Sequence, residues 1–345
     1  FAHNTGEGGL SPYHLKHGGD IILQIGTGYF GFRTKNGCFD PEKFAKKAQL
    51  DVIKMIEIKI SQGAKPSHGG LLPAAKITEE IAKIRDIPMG LDCDSPPTHR
   101  SFSTPIELMH YITQLRELSG GKPIGFKLCI GRRQEFMAIC KAMLETGVYP
   151  DFITVDGSEG GTGAAPIEFV NRLGTPINEA LPFVHNCLVG INARDKIRVI
   201  SSGKISSGFH MMQKIAIGAD MCNAARAMMF SVGCIQALKC NTNACPTGVA
   251  TQDPSRNAAL IPEEKRYHVK NFHHATIESF LDLVGAIGVA HPDELRPEHI
   301  YRNLEEHRSI TYRELFHYME PGELLGDDIH PEYREDWKHA SANQF

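Results

Sequence analysis

The stretch Ile124–Gly163, IGFKLCIGRRQEFMAICKAMLETGVYPDFITVDGSEGGTG, decides the fold class. Ile124 to Ile130 is an apolar run of strand length. Arg132 to Glu145 follows with Phe136, Ile139, Cys140 and Met143 at helical spacing, so one face of that helix is apolar. Phe152 to Val155 returns to a strand and ends in the glycine-rich loop Asp156 to Gly163. Strand, amphipathic helix and strand at this spacing form a βαβ unit, whose crossover makes the two strands parallel.

The same alternation extends in both directions. Upstream, Thr104 caps a helix, Pro105 occupies its first turn and Glu107 completes a capping box. Leu108, Ile112, Leu115 and Leu118 form its stripe, and Gly120-Gly121 stops it. Asp40 and Pro41 open an earlier helix with Phe44, Ala48 and Val52 on one face, followed by a strand from Met55 to Ile60. A helix is expected from Ile77, and a short strand from Gly90 to Asp94 before the turn Ser95-Pro96-Pro97. Downstream, Pro166 is expected to open a helix. Arg198–Ile200 reads as a strand, Gly208–Ile217 as a helix, Asp220–Asn223 as a last short strand and Ala227–Leu238 as a helix. With a contribution from Asn4–Gly9 the count is seven strands. Repeated parallel units with glycine-rich loops after the strands predict an α/β TIM (β/α)8 barrel, with an open sheet as the alternative. Residues 1–257 are assigned to the barrel and a cysteine-bearing segment. Residues 258–345, rich in His, Glu and Arg, are assigned to a helical extension that includes Phe280, Leu281, Leu283 and Val284.

With 345 residues and 41% hydrophobic content, the chain can bury a large core. Its 37 Lys+Arg against 40 Asp+Glu give a formal charge of −3 without a basic run, which argues against a nucleic-acid partner. No stretch approaches the ~20 apolar residues that span a bilayer, and a cytoplasmic protein is expected. The chain opens on Phe1 rather than methionine, and a cleaved, truncated or fragmentary start is expected.

Three groups of residues carry candidate chemistry. Among nine cysteines, Cys234, Cys240 and Cys245 cluster as C-x5-C-x4-C, with Pro246 directly after. Three soft thiolates suit an iron–sulfur cluster. Zinc, which prefers closer pairs and a fourth ligand, and plain structural thiols remain open on spacing alone. Ser201-Ser202-Gly203-Lys204 and Asn223-Ala224-Ala225-Arg226 follow the last two strands, where barrel loops bind phosphate; ordinary turns are the alternative. Lys127 interrupts the apolar run Ile124–Leu128, so it faces a polar cavity or an exposed edge. Beside a flavin it would stabilise the charge of the reduced ring. Gln62 and Lys65 lie just after a strand, where Lys65 could pair with a substrate carboxylate. Glu7 in a glycine-rich turn could hold an amine or relay a proton; each also suits a solvated loop.

In sequence order, the chain carries NTGEGG at Asn4–Gly9, ISQGAKP at Ile60–Pro66, SPPTHR at Ser95–Arg100 and FKL at Phe126–Leu128. ITVDGSEGGTGAAP at Ile153–Pro166 and GCIQALKCNTNACPTGVATQ at Gly233–Gln252 follow. With these motifs it resembles the FMN-binding synthase domain of the glutamate synthase family. The resemblance implies a TIM barrel with non-covalent FMN and a [3Fe–4S] cluster on Cys234, Cys240 and Cys245. It implies that ammonia and 2-oxoglutarate form 2-iminoglutarate, which reduced FMN converts to L-glutamate with electrons relayed through the cluster. Gln62, Lys65 and Glu7 then fall at the substrate, and Lys127 beside the flavin. Ser202, Gly203, Ala224 and Ala225 fall at its phosphate, and Lys204 and Arg226 of the same two loops join them as candidates on the loop reading above. An electron-donor protein or reductase subunit is an implied partner, with a separate glutaminase subunit as another. The family's first barrel strand should precede Asn4 and is absent here, and Asn223–Arg226 replaces a more glycine-rich loop. Two further readings accompany this one. They are an N-methylglutamate-synthase-type subunit that uses methylamine, and a catalytically silent flavin and iron–sulfur electron-transfer or scaffold subunit.

Overall fold

The computed structural model describes residues 1–305 and 307–345. Its centre is a parallel sheet of seven strands in the order His3–Asn4, Ile21–Ile25, Ile53–Lys59, Ile124–Leu128, Phe152–Asp156, Arg198–Ser202 and Met221–Asn223. Every neighbouring pair is parallel. Among the described residues the two outermost strands do not pair with each other, so the barrel expected from the sequence is an open sheet, short of closure. Those outer strands are two and three residues long, which leaves little edge exposed for stray pairing.

Helices on the outer side connect the strands. Thr104 caps Pro105–Leu118 with the reciprocal pair of a capping box: its hydroxyl accepts from the Glu107 N–H and the Glu107 carboxylate accepts from the Thr104 N–H, both at 3.2 Å. Asp40 caps Pro41–Ala48 by accepting from the Lys43 N–H at 3.1 Å. The stripes of these helices meet the sheet. Phe44, Leu108, Ile112, Leu115, Phe136 and Leu181 are buried against Ile56, Ile58, Phe126, Ile153 and Val199 in one continuous core. Full burial of each such side chain contributes roughly 1.5–3 kcal/mol.

Several expectations are corrected. The strand Ile21–Ile25 was not anticipated; all five residues are buried, so the run shows none of the alternation that marks a strand with one wet face. The segment read as a strand near Gly90–Asp94 supplies Cys93–Ser95, which pairs antiparallel with Gly70–Leu72 outside the parallel sheet. Pro166 starts only a turn, closed by Phe169 and Val170 N–H groups on its carbonyl, and the helix begins instead at Ile177. The helix expected to reach Leu238 ends at Ser231. Gly233, Gln236 and Leu238 are left-handed, which an α-helix does not accommodate. The C-terminal extension is mainly helical, with Pro262–Ala286 as its longest element. It also contains an antiparallel hairpin of Tyr301–Glu305 and Arg308–Thr311. Phe280, Val284, Tyr312, Met319 and Tyr333 join the same core as the sheet. Among the described residues no helix is long and apolar enough to cross a membrane.

Candidate active site

Register places the site. Residues paired across a parallel sheet share a face, and residues two apart on one strand share it too. Gln24 pairs with Glu57, Lys59 with Lys127, Lys127 with Thr154, and Asp156 with Ser202. One face of the sheet therefore carries a column of polar side chains, where a barrel interior is ordinarily filled by Val, Ile and Leu. Glu57 lies deepest, and Lys59, Lys127, Asp156 and Ser202 stand at the carboxyl ends of their strands.

These charges are matched pairwise. Lys127 Nζ lies 3.4 Å from Asp156, and Lys59 Nζ donates to Glu7 Oε1 at 2.8 Å. Burial pulls the Lys127 ammonium down, but Asp156, Glu57 and Glu7 outweigh it and hold its pKa above the ordinary lysine value. Burial likewise pushes Glu7 up, and Lys59, with Arg85 and Lys65 behind it, reverses the sign, so Glu7 stays ionised. Lys65 is buried and donates to the Gly69 carbonyl at 2.9 Å. Its pKa falls because burial and the neighbouring Lys59 together exceed the attraction of Glu7. His99 of the Ser95–Arg100 motif supports Lys59 from behind. Its Nε2 donates to the Lys59 carbonyl at 2.9 Å, and burial lowers its pKa to about 4. A neutral ring with the proton on Nε2 leaves Nδ1 to accept from the Tyr29 hydroxyl at 3.2 Å.

Two cavities open at these strand ends. The smaller, about 30 Å³, is lined by Glu7, Lys59, Gln62, Lys65 and His68. The larger, about 550 Å³, is lined by Lys127, Asp156, Ser202-Gly203-Lys204, Ala225-Arg226 and all three of Cys234, Cys240 and Cys245. Gln62 borders both. Its placement depends on Gly63: a Cβ there would stand 1.5 Å from the Gly157 carbonyl, and the Gly63 N–H donates to Asp156 at 2.8 Å. Thus every expected site residue but one lies on these two walls; Ala224 does not reach either. The larger cavity has the volume and mixed lining of a cofactor pocket. Its apolar side includes Ile205, Phe230, Ile235, Leu238 and Val249.

The expected phosphate-site residues border the larger cavity, apart from Ala224. Gly203 has φ +141° and Lys204 φ +49°, so the chain turns sharply at the strand end. The Ser202 hydroxyl donates to Asp156 at 2.8 Å and is committed there. Arg226 donates to the Gly161 carbonyl and lies 3.6 Å from Cys234 Sγ, tying the glycine-rich loop to the cysteine segment. Asp156, Lys59 and Glu57 were not singled out in the sequence. The signal available was a charged residue at the inward positions of otherwise apolar strands, the argument applied to Lys127 alone.

The cysteine segment shares the cavity but not a ligand geometry. Among the described residues no three His, Cys, Asp or Glu side chains are gathered to hold a metal ion. The donor chemistry still suits thiolate. Burial raises the Cys245 pKa, yet hydrogen bonds from the Thr247 hydroxyl and from the N–H groups of Ala250, Thr247 and Val249 bring it below the ordinary thiol value. Lys76 Nζ donates to the carbonyls of Cys240 and Ala250 at 2.7 and 3.3 Å and ties the segment to the body of the chain.

Comparison with known proteins agrees with this geometry. The family model described as the conserved region in glutamate synthase matches residues 1–290. A glutamate synthase large subunit-like protein, YerD, of Bacillus subtilis (strain 168) is 45% identical over 314 residues, covering 91% of this chain and 59% of that protein. An archaeal glutamate synthase [NADPH] of Methanocaldococcus jannaschii is 34% identical, over 85% of this chain and 54% of its own length. A ferredoxin-dependent glutamate synthase of Cyanidium caldarium is 35% identical, over 69% of this chain and 14% of its own length. The chain thus spans little more than half of the first two relatives. A match over most of its length to the family model, and the placement of the family's motif residues around two adjoining cavities, give one conclusion: this chain belongs to the glutamate synthase family.

Proposed function

We propose that the chain is the synthase unit of an FMN-dependent oxidoreductase that reduces 2-iminoglutarate, formed from 2-oxoglutarate and ammonia, to L-glutamate. The observation that carries this reading is the adjacency at Gln62 of a flavin-sized cavity and a small cationic pocket. In the larger cavity, Lys127 offers a positive charge to the pyrimidine edge of the ring. The turn Ser202–Lys204 and the segment Ala225–Arg226 offer backbone donors and positive charge to the phosphate. FMN, when bound, supplies hydride to a carbon held beside it.

The small pocket, about 30 Å³, admits one end of the substrate, and its residues bind and orient that end while the rest lies in the larger cavity. Lys65, only 8% exposed, donates its ammonium to a substrate carboxylate and gains a charge-assisted hydrogen bond in place of the Gly69 carbonyl. Gln62 directs the reacting end of the substrate toward the larger cavity. Glu7, ionised at neutral pH, accepts hydrogen bonds from the N–H of the amine or imine. Lys59 keeps that carboxylate charged and fixed. A [3Fe–4S] cluster on Cys234, Cys240 and Cys245 belongs to the same proposal. The thiols line the wall of the larger cavity, and the hydrogen bonds around Cys245 favour its thiolate form. An electron-donor protein would reduce the centre, and an ammonia source, such as a glutaminase subunit, would feed the small pocket.

The test is an anaerobic assay of the reduced chain with 2-oxoglutarate and either ammonium or methylamine, with the product identified by mass. Glutamate with ammonium supports the reading. N-methylglutamate with methylamine alone transfers it to the alkylamine reaction. No product from either, with flavin and iron retained, leaves an electron-transfer or scaffold role.

A further inference from the structure

Glu57 is a carboxylate inside the sheet with 1% of its surface exposed, and no step above uses it. Its Oε1 accepts from Asn4 Nδ2 at 2.8 Å and from Gln24 Nε2 at 2.6 Å; its Oε2 accepts from the Thr154 hydroxyl at 2.6 Å. All three donors are neutral. A buried charge held only by neutral donors is costly to keep unless a cation elsewhere answers it. The cation placed to answer it is Lys127: its register partner on the next strand is Thr154, whose hydroxyl donates to Glu57, and Asp156 and Glu57 both favour its charged form. On the other side, the bond from Asn4 fixes that amide. Asn4 Oδ1 faces the Gly6 N–H at 2.9 Å, and the turn so formed, with Gly6 at φ +65°, delivers Glu7 to Lys59. Gln24 closes the arrangement, its backbone N–H donating to Thr5 Oγ1 at 3.0 Å.

We propose that Glu57 is a positioning residue that couples the two pockets: through Asn4 it holds the Glu7 turn at the small pocket, and through its charge it sets the field at Lys127 in the large one. The inference rests on the flavin reading for its second half only. The first half concerns the chain alone.

Two variants separate the halves. Glu57→Gln keeps the shape and removes the charge; its amide oxygen still accepts from Asn4 and Gln24, while the bond to Thr154 reverses, the new amide N–H donating to the Thr154 oxygen. Asn4→Ala keeps the charge and removes the link to the turn. The readouts are the flavin midpoint potential, from anaerobic dye-coupled titration, and deuterium uptake of the peptide covering Asn4–Gly9. The expected result is a positive shift in potential with parent-like uptake for Glu57→Gln. For Asn4→Ala it is several-fold faster uptake with a parent-like potential. An unshifted potential in Glu57→Gln, or parent-like uptake in Asn4→Ala, overturns the coupling. A parent chain that takes up no FMN defeats the cofactor reading instead, and uptake in Asn4→Ala still decides whether the Asn4 side chain, which Glu57 anchors, holds the turn. Because Asn4 lies on a two-residue edge strand, that arm survives even where a Glu57 variant fails to fold.

Discussion

The charged column on the sheet and the cysteine segment beside it form two walls of one cavity and are built on opposite principles. Glu57, Lys59, Lys127 and Asp156 are fixed by strand register, and each has a partner within the chain. Residues 233–250 have neither helix nor strand, and Gln236, Leu238 and Asn243 hold left-handed backbone without being glycine. Such conformations cost about 1–3 kcal/mol each and persist where surrounding contacts or a ligand hold them. The sheet wall is preorganised by the fold itself. The cysteine wall has hydrogen-bonded sulfur at Cys245 and a lysine tether at Lys76, and its three sulfurs are not drawn to a common point. A cofactor gripped by the first wall should bind with little rearrangement, whereas a cluster on the second should order it.

The sharpest way to break this contrast is on the cysteine side. Cys240→Ser is expected to remove all chain-bound iron while FMN content stays at the parent level. Iron analysis beside flavin fluorescence checks it, and retained iron contradicts the assignment. The next effect lies on the sheet side and depends on pH. His99 has a folded pKa of about 4 against an unfolded value of 6.5, so the unfolded chain binds the extra proton between those limits. The neutral ring therefore contributes stability fully present above pH 6.5 and lost as pH falls toward 4, up to about 3 kcal/mol. Denaturant unfolding across that range should show a shallower loss for His99→Gln than for the parent; parallel curves would remove His99 from the account.

Much of this architecture was legible in advance because it repeats local rules. The capping box at Thr104, the stripe Leu108–Ile112–Leu115 and the βαβ pattern from Ile124 each report a periodicity that burial then uses. Ile21–Ile25 escaped because a strand buried on both faces has no alternating pattern. Closure of the sheet is not a local property, so nothing near any strand could decide it. At the site, single residues in glycine-rich loops were visible as candidates. Their partners were not, because Lys59 meets Glu7 across 52 positions and Asp156 meets Ser202 across 46. The bond from the Ser202 hydroxyl to Asp156 was hidden for the same reason, since only the fold brings that carboxylate near.

Two smaller effects refine the contrast. Lys65→Ala should raise the KM for 2-oxoglutarate roughly 30-fold, the loss of about 2 kcal/mol from one charge-assisted hydrogen bond, and leave FMN affinity unchanged. Steady-state kinetics and a flavin titration check the two parts. Lys76→Met should loosen only the cysteine wall. Deuterium uptake over residues 233–250 is expected to rise about fivefold, corresponding to about 1 kcal/mol of lost tether, with uptake over the strand Ile124–Leu128 unchanged.

The cavity shared by these two walls is tested most directly by an anaerobic absorbance spectrum of the freshly purified chain, with flavin and iron quantified on the same sample. About one FMN and about three iron atoms per chain are expected, with a flavin spectrum that bleaches on chemical reduction and returns when 2-oxoglutarate and ammonium are added. A folded, colourless chain that takes up neither group from solution would contradict the account.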